Sequence, residues 1–184
     1  RFESKDTASA DLQVAHIFQS LLQQHKDAPT RLVDVELKRL GWAKARATGD
    51  GKDSAYFHAL ERLAVKYPNI EEHAMVMAEI AQLYINRAAS YHFLNAPQYK
   101  NDYKKAWQIC ADMQTKFPKS RGANRCADMQ KGIETKEISA EMEAYYVPNT
   151  PIRAAVRYRN AFTYYARIIK RTQALEEKLN REYK

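Results

Sequence analysis

At 184 residues and a formal net charge of +8, the chain has room for one domain, or one and a small second piece. With 45% hydrophobic and 28% charged residues and only 5 Gly and 6 Pro, it reads as a globular protein of long regular elements and few loops. No apolar run approaches the roughly 18 residues that a membrane helix needs. The opening Arg1-Phe2-Glu3 carries neither Met nor a signal peptide, so a processed or trimmed piece is expected.

In chain order, Asp6 and Thr7 are placed to cap a first helix running to about Lys26, with Leu12, Ala15, Ile17, Phe18, Leu21 and Leu22 as its apolar residues. Asp27-Ala28-Pro29-Thr30 breaks it, and Thr30 is the expected cap of a second helix through Val33, Val35, Leu37, Leu40 and Trp42. Thr48-Gly49-Asp50-Gly51 is the clearest loop. Asp53 or Ser54 then caps a third helix carrying Tyr56, Leu60 and Leu63, and Tyr67-Pro68-Asn69 ends it. The residue before proline is pushed out of helical backbone, so an aromatic-Pro pair is a stop signal.

The next stretch, Ile70 to Ile133, organises the chain. Ala74, Met77, Ala78, Ala81, Tyr84, Ile85 and Ala88 recur at helical spacing, and their small size lets another helix approach closely. Tyr91 to Gln98 follows as a connection longer than a tight turn, with Tyr91, His92 and Phe93 clustered in it. A second stripe, Tyr103, Ala106, Trp107, Cys110, Met113 and Phe117, stops at Phe117-Pro118. Ser120 is placed to cap a further helix with Ala123, Cys126, Met129 and Ile133 inward. Two aromatic-Pro endings favour a degenerate tetratricopeptide-type repeat of antiparallel helical hairpins, about six helices in all. A plain helical bundle uses the same stripes.

After Gly132 the period changes. Ile138, Ala140, Met142, Ala144 and Tyr146 alternate with polar neighbours, Pro148-Asn149-Thr150-Pro151 turns the chain, and Ile152, Ala154, Val156 and Tyr158 alternate again. Asn160-Ala161 would turn it once more, into Phe162, Tyr164, Ala166 and Ile168. These three runs predict a short antiparallel β meander. The competing reading is one helix starting at Pro151, and it is disfavoured because Arg159 falls inside the apolar stripe and β-branched and aromatic residues are dense here. A charged helix over Gln173 to Glu182 closes the chain. The expected division is therefore a helical domain over 1–135 and a β meander with helical tail over 136–184.

The residues carry no catalytic constellation. His16, His25, His58, His73 and His92 are scattered without metal-ligand spacing, and no Gly-rich phosphate loop or nucleophile elbow occurs. No catalytic, cofactor-binding or metal residue is therefore assigned, and no cofactor is expected. Cys110 and Cys126 each open the tetrapeptide continuation Ala-Asp-Met-Gln, and lie seven residues before Phe117 and six after Ser120. That puts them at similar heights on adjacent antiparallel helices, within disulfide range. An exported protein would bridge them and a cytosolic one would keep two buried thiols.

The candidate interaction surface is aromatic and basic. Tyr56, Tyr84, Tyr91 and Trp107 are candidates to line a concave peptide groove, against the plainer reading that they pack between helices. From Pro151 to Lys184 nine Lys and Arg face three Glu, so Arg153, Arg157, Arg159 and Arg167 belong to a basic end carrying +6. A solvated face, or a surface meeting an acidic neighbouring domain, accounts for it. No recognised nucleic-acid module accompanies the charge, and no nucleic acid is expected as partner.

The run Lys116-Phe-Pro-Lys-Ser120, then Gly122-Ala-Asn and Cys126, then Val147-Pro-Asn-Thr-Pro151, Arg157-Tyr-Arg-Asn160 and Tyr165-Ala-Arg-Ile-Ile169 resembles the N-terminal part of large bacterial alpha-2-macroglobulin-like envelope proteins. The likeness spans roughly Tyr99 to Arg171, and the residues before it match only as generic helices. In that family a helical, repeat-like region precedes the first macroglobulin β-sandwich. The resemblance implies a periplasmic or envelope location and membership of a protease-trapping inhibitor family. Neither a bait segment nor a thioester is present here, since both cysteines continue Ala-Asp-Met. The implied role is presentation and docking, toward a protein partner or neighbouring domains of the same chain. The alternative is a free-standing helical-repeat adaptor.

Overall fold

A computed structural model describes residues 9–143, 145, 147, 150–167 and 172–182. It is mainly helical: α1 (Ala10–Gln24), α2 (Pro29–Arg46), α3 (Lys52–Lys66), α4 (His73–Ala89), α5 (Asp102–Lys116) and α6 (Arg121–Glu134), then β1 (Glu137–Met142), β2 (Ala154–Arg159) and α7 (Gln173–Glu182). A 3-10 turn, Pro97–Tyr99, lies before α5. The chain divides into two units, one ending at Glu134 and one beginning at Thr135.

In the helical unit each helix packs on the next, and α4 also packs on α6. The two aromatic-Pro endings are built alike. α3 and α5 are both 15 residues long and sit 50 positions apart, from Lys52 to Asp102. Tyr67 ends α3 at φ −129, ψ 63, and Phe117 ends α5 at φ −134, ψ 60. In each, the residue before the proline has left helical backbone, as the proline ring requires. Under that shift, buried Tyr56, Leu60 and Leu63 fall on buried Ala106, Cys110 and Met113. The two endings also meet, because Lys116 Nζ donates to the Pro68 carbonyl at 2.7 Å.

Two apolar clusters form the core. One joins Val33, Tyr56, Leu60, Leu63, Ala64, Val76 and Ile80, from α2, α3 and α4. The other joins Ala74, Ala78, Ala81, Ala106, Cys110, Met113 and Cys126, from α4, α5 and α6. α4 thus serves both, branched residues toward one side and alanines toward the other. The alanine side admits α6 so closely that a Cβ at Gly122 would overlap the backbone of Ala74 and Met75. α1 buries no residue fully. It leans on α2 through Phe18 and Trp42, with ring centroids 5.8 Å apart, and through an Asp11–Arg46 ion pair.

Two helix starts differ in detail from expectation. Ser120 caps α6 as predicted, its Oγ accepting from the Ala123 amide at 3.0 Å. Thr30 does not cap α2. Pro29 takes the first helical position, where its fixed φ fits and its missing N–H is no loss, so the cap position moves back to Ala28. α3 starts at Lys52 behind Gly51, so Asp53 and Ser54 lie inside its first turn. Asp53 pairs there with Lys44 of α2 at 2.9 Å, which holds its carboxyl below the usual range. Asp6 and Thr7 lie outside the described residues. The long connection after α4 closes on itself through a bridge between His92 and Ala96.

In the second unit β1 and β2 pair antiparallel, Glu137 opposite Arg159 through Met142 opposite Ala154. Ala154–Arg159 is therefore strand and not helix. The predicted third strand does not form over 161–167, and the rest of that run, with Pro148 and Asn149 of the predicted turn, lies outside the described residues. The chain leaves β2 through Asn160 at φ 53, a left-handed conformation that Asn tolerates. Its side chain donates to the Thr135 carbonyl at 3.0 Å. Phe162 and Tyr165 are left exposed, so alternation here reflects composition without a sheet face to bury it.

Candidate functional site

The helical unit carries a groove of about 820 Å³ walled by α2, α4 and α6, with Tyr56 of α3 reaching its floor. The same position in successive hairpins supplies these walls, which is how a repeat scaffold makes a continuous concave face. A charged network fixes the floor. Tyr56 Oη donates to Glu79 Oε2 at 3.4 Å, and Glu79 forms an ion pair with Arg125 of α6. Arg125 also approaches Met75 Sδ at 3.8 Å. Burial pushes the Tyr56 hydroxyl up to about 12, and the Glu79 charge adds to the shift. Lys44 Nζ lies over the Tyr56 ring, 4.9 Å from its centre.

Charges of both signs line the groove. Lys38 pairs with Asp34 at 2.7 Å within α2. Arg31 and Arg121 also line the groove, as do Glu71 and Glu72 at the foot of α4. Glu72 Oε2 is buried without a hydrogen-bond partner among the described residues. Gly41 and Gly122 leave two stretches of wall bare of side chain.

Of the four aromatic candidates, Tyr56 alone lines this groove. Tyr84 is half-buried beside a different cluster, where Arg87 lies 4.6 Å from the Tyr84 ring centre, 5.4 Å from Phe57 and 5.7 Å from Tyr99. The Arg87 guanidinium also bonds Asp102 Oδ2 at 3.0 Å, and Lys105 Nζ reaches Oδ1 at 3.1 Å. Asp102 is 1% exposed, so this cluster ties the long connection back onto α4. Tyr91 is exposed on that connection, next to exposed Phe93 and Leu94. Trp107 is partly exposed, its Nε1 donating to Glu134 Oε1 at 2.6 Å. The structure does not gather these four rings on one face.

The four arginines belong to the second unit. Arg159 pairs with Glu137 at 2.8 Å and Arg157 with Glu141 at 3.3 Å, both across the two strands. Arg153 and Arg167 are exposed. Cross-strand pairing thus takes up part of the basic end.

Cys110 and Cys126 are free thiols, both 0% exposed in the apolar cluster shared by α4, α5 and α6. The neighbouring Cys126 thiol and burial together push the Cys110 thiol up.

Sequence reasoning missed the groove's central pair. Glu79 interrupts the stripe from Ala74 to Ala88, and Arg125 directly precedes an inward cysteine. A charge at the edge of an apolar stripe was the available signal. Among the described residues no cluster of His, Cys, Asp or Glu could hold a metal ion, and no helix is long and apolar enough to cross a membrane. What the groove offers is shape, fixed hydrogen-bond partners and charges of both signs. No family model matches the chain, and neither the curated proteins nor the solved structures yield a match.

Proposed function

We propose that the chain is a non-catalytic helical-repeat interaction module that receives a segment of a partner protein in the α2–α4–α6 groove. The observation that carries this reading is the groove itself, about 820 Å³, within the range of specific binding clefts. Its Tyr56–Glu79–Arg125 floor is held in place before any ligand arrives, so little ordering entropy is lost on binding.

The parent context we propose is an alpha-2-macroglobulin-like envelope protein, in which this module precedes β-sandwich structure. The second unit supports that reading. A two-stranded ribbon is marginal alone in water, and Ile138, Met142 and Tyr158 on its strands remain exposed. Such a ribbon gains most from joining a larger sheet.

The test is selection of peptides from a random displayed library on the immobilised protein, followed by titration of the winners. Arg121→Glu and Tyr56→Ala should each weaken binding tenfold or more. Val65→Asp, on an exposed side of α3 away from the groove, should leave it unchanged. Equal affinity for all variants would refute the groove. Fractionation of the source cells tests the location: recovery in the envelope fraction supports it and recovery in the cytosol counts against it.

A further inference from the structure

We propose that Cys110 and Cys126 are a redox-operated staple between α5 and α6, closed by exchange with an external disulfide and shielded from reductant once closed. Both sulfurs lie in a core pocket made chiefly of alanines, Ala74, Ala78, Ala81 and Ala106. No bulky side chain has to move for them to come together. The two cysteines belong to one buried cluster and stand on consecutive helices, α5 and α6.

The surrounding bonds keep the pair aligned from both sides. Toward the hairpin turn, the Ser120 amide donates to the Phe117 carbonyl at 2.9 Å and the Ser120 side chain caps α6. One helical turn beyond Cys126, Gln130 donates to the Trp107 carbonyl at 3.1 Å and accepts from Gln114 at 2.5 Å. α6 is thus pinned to α5 above and below the sulfurs.

Either cysteine attacks first, because exchange takes place with α6 away from the core, where both thiols meet solvent. The attacking thiol gives its proton to solvent, and its thiolate attacks one sulfur of the external disulfide; a mixed disulfide forms, the external S–S bond breaks and one thiolate leaves. That leaving thiolate takes the proton of the other cysteine, which then attacks the first protein sulfur and expels the second thiolate. The protein loses two electrons and two protons, and the external disulfide becomes two thiols.

Because both sulfurs are at 0% exposure, exchange proceeds while α6 is lifted from the core or before it docks. Re-docking then closes the route for reductant. The staple does not rest on the groove reading, although α6 carries the Arg121 and Arg125 wall.

The experiment refolds the reduced protein from denaturant across a series of glutathione disulfide to glutathione ratios, quenches in acid, and alkylates with N-ethylmaleimide before intact mass measurement. The expected product is a monomer two hydrogens lighter with no maleimide added, its tryptic peptides joined through Cys110 and Cys126. Its Tm should exceed that of the dithiol form by about 10 °C, from the loop-closure entropy removed from the unfolded chain. Cys110→Ala and Cys126→Ala should each stop at the mixed disulfide, carrying one glutathione. Two maleimides on the refolded wild type at every ratio would overturn the proposal. So would a bridged form that melts below the dithiol.

Discussion

Gly122 offers the sharpest test of how α6 is seated. An added Cβ would meet the Ala74 carbonyl oxygen at 2.6 Å, with the Ala74 carbonyl carbon and the Met75 nitrogen closer still. All three are backbone atoms of α4, which cannot swing aside as a flexible side chain would. Overpacking of this kind costs about 1–3 kcal/mol, and a backbone obstacle puts Gly122→Ala near the upper end. Alanine recovers up to about 1 kcal/mol of helix propensity, leaving a net loss of about 2 kcal/mol. Gly132 supplies the internal control. It lies in the same helix, nothing stands within 4 Å of an added Cβ there, and Gly132→Ala should stabilise by up to about 1 kcal/mol. The two variants should therefore differ by about 3 kcal/mol. With a urea slope of about 1–3 kcal/mol/M, their midpoints followed by far-ultraviolet circular dichroism should separate by about 1 M or more. A midpoint for Gly122→Ala equal to or above that of Gly132→Ala would refute the close seating of α6 on α4.

Three further outcomes follow from named side chains. Ser120→Ala removes the cap of α6 and should cost about 1 kcal/mol in the same urea titration. Asp102→Asn should cost about 1–3 kcal/mol, since the buried carboxylate answers both Arg87 and Lys105; Asp34→Asn, in an exposed pair with Lys38, should change stability by no more than about 0.5 kcal/mol. Burial, helped by the Lys116 charge, pushes the His73 imidazole below its ordinary 6.5, against the pull of the Tyr67 and Ala64 carbonyls. The unfolded chain therefore takes up a proton near pH 6.5 that the folded chain resists, and stability falls as pH drops through that value toward the lower folded pKa. Urea midpoints at about pH 7.5 and about pH 5 should show a slope that His73→Phe reduces.

The helical architecture was legible because its signals are local and strong. Tyr67-Pro68 and Phe117-Pro118 end helices by a steric rule that tertiary context does not overturn. Ser120 precedes a clean amphipathic run and caps it. Thr30 misled because Pro29 competes for the first turn and wins on backbone preorganisation. Asp53 misled because a salt bridge to Lys44 draws it away from the cap role. The run from Phe162 alternates as a strand does, but alternation requires a partner strand and a face to bury, and neither is a property of the segment itself. The groove was legible in kind but not in membership. Glu79 and Arg125 lie 46 positions apart, and no local pattern announces a pair that only the stacking of α4 against α6 brings together.

The placement of α4 in both cores has a consequence for how the helical unit comes apart. In a chain of independent repeats, stability is additive and one end can melt while the other stands. Here Val76 and Ile80 hold one neighbourhood while Ala74, Ala78 and Ala81 hold the other. A rotation of that single rod disengages both together. Backbone amides from Val33 to Cys126 should accordingly share one opening free energy and exchange with solvent as a block, while those of α1, which has no fully buried residue, open separately and earlier. α4 is the axle on which the cooperativity of the unit turns.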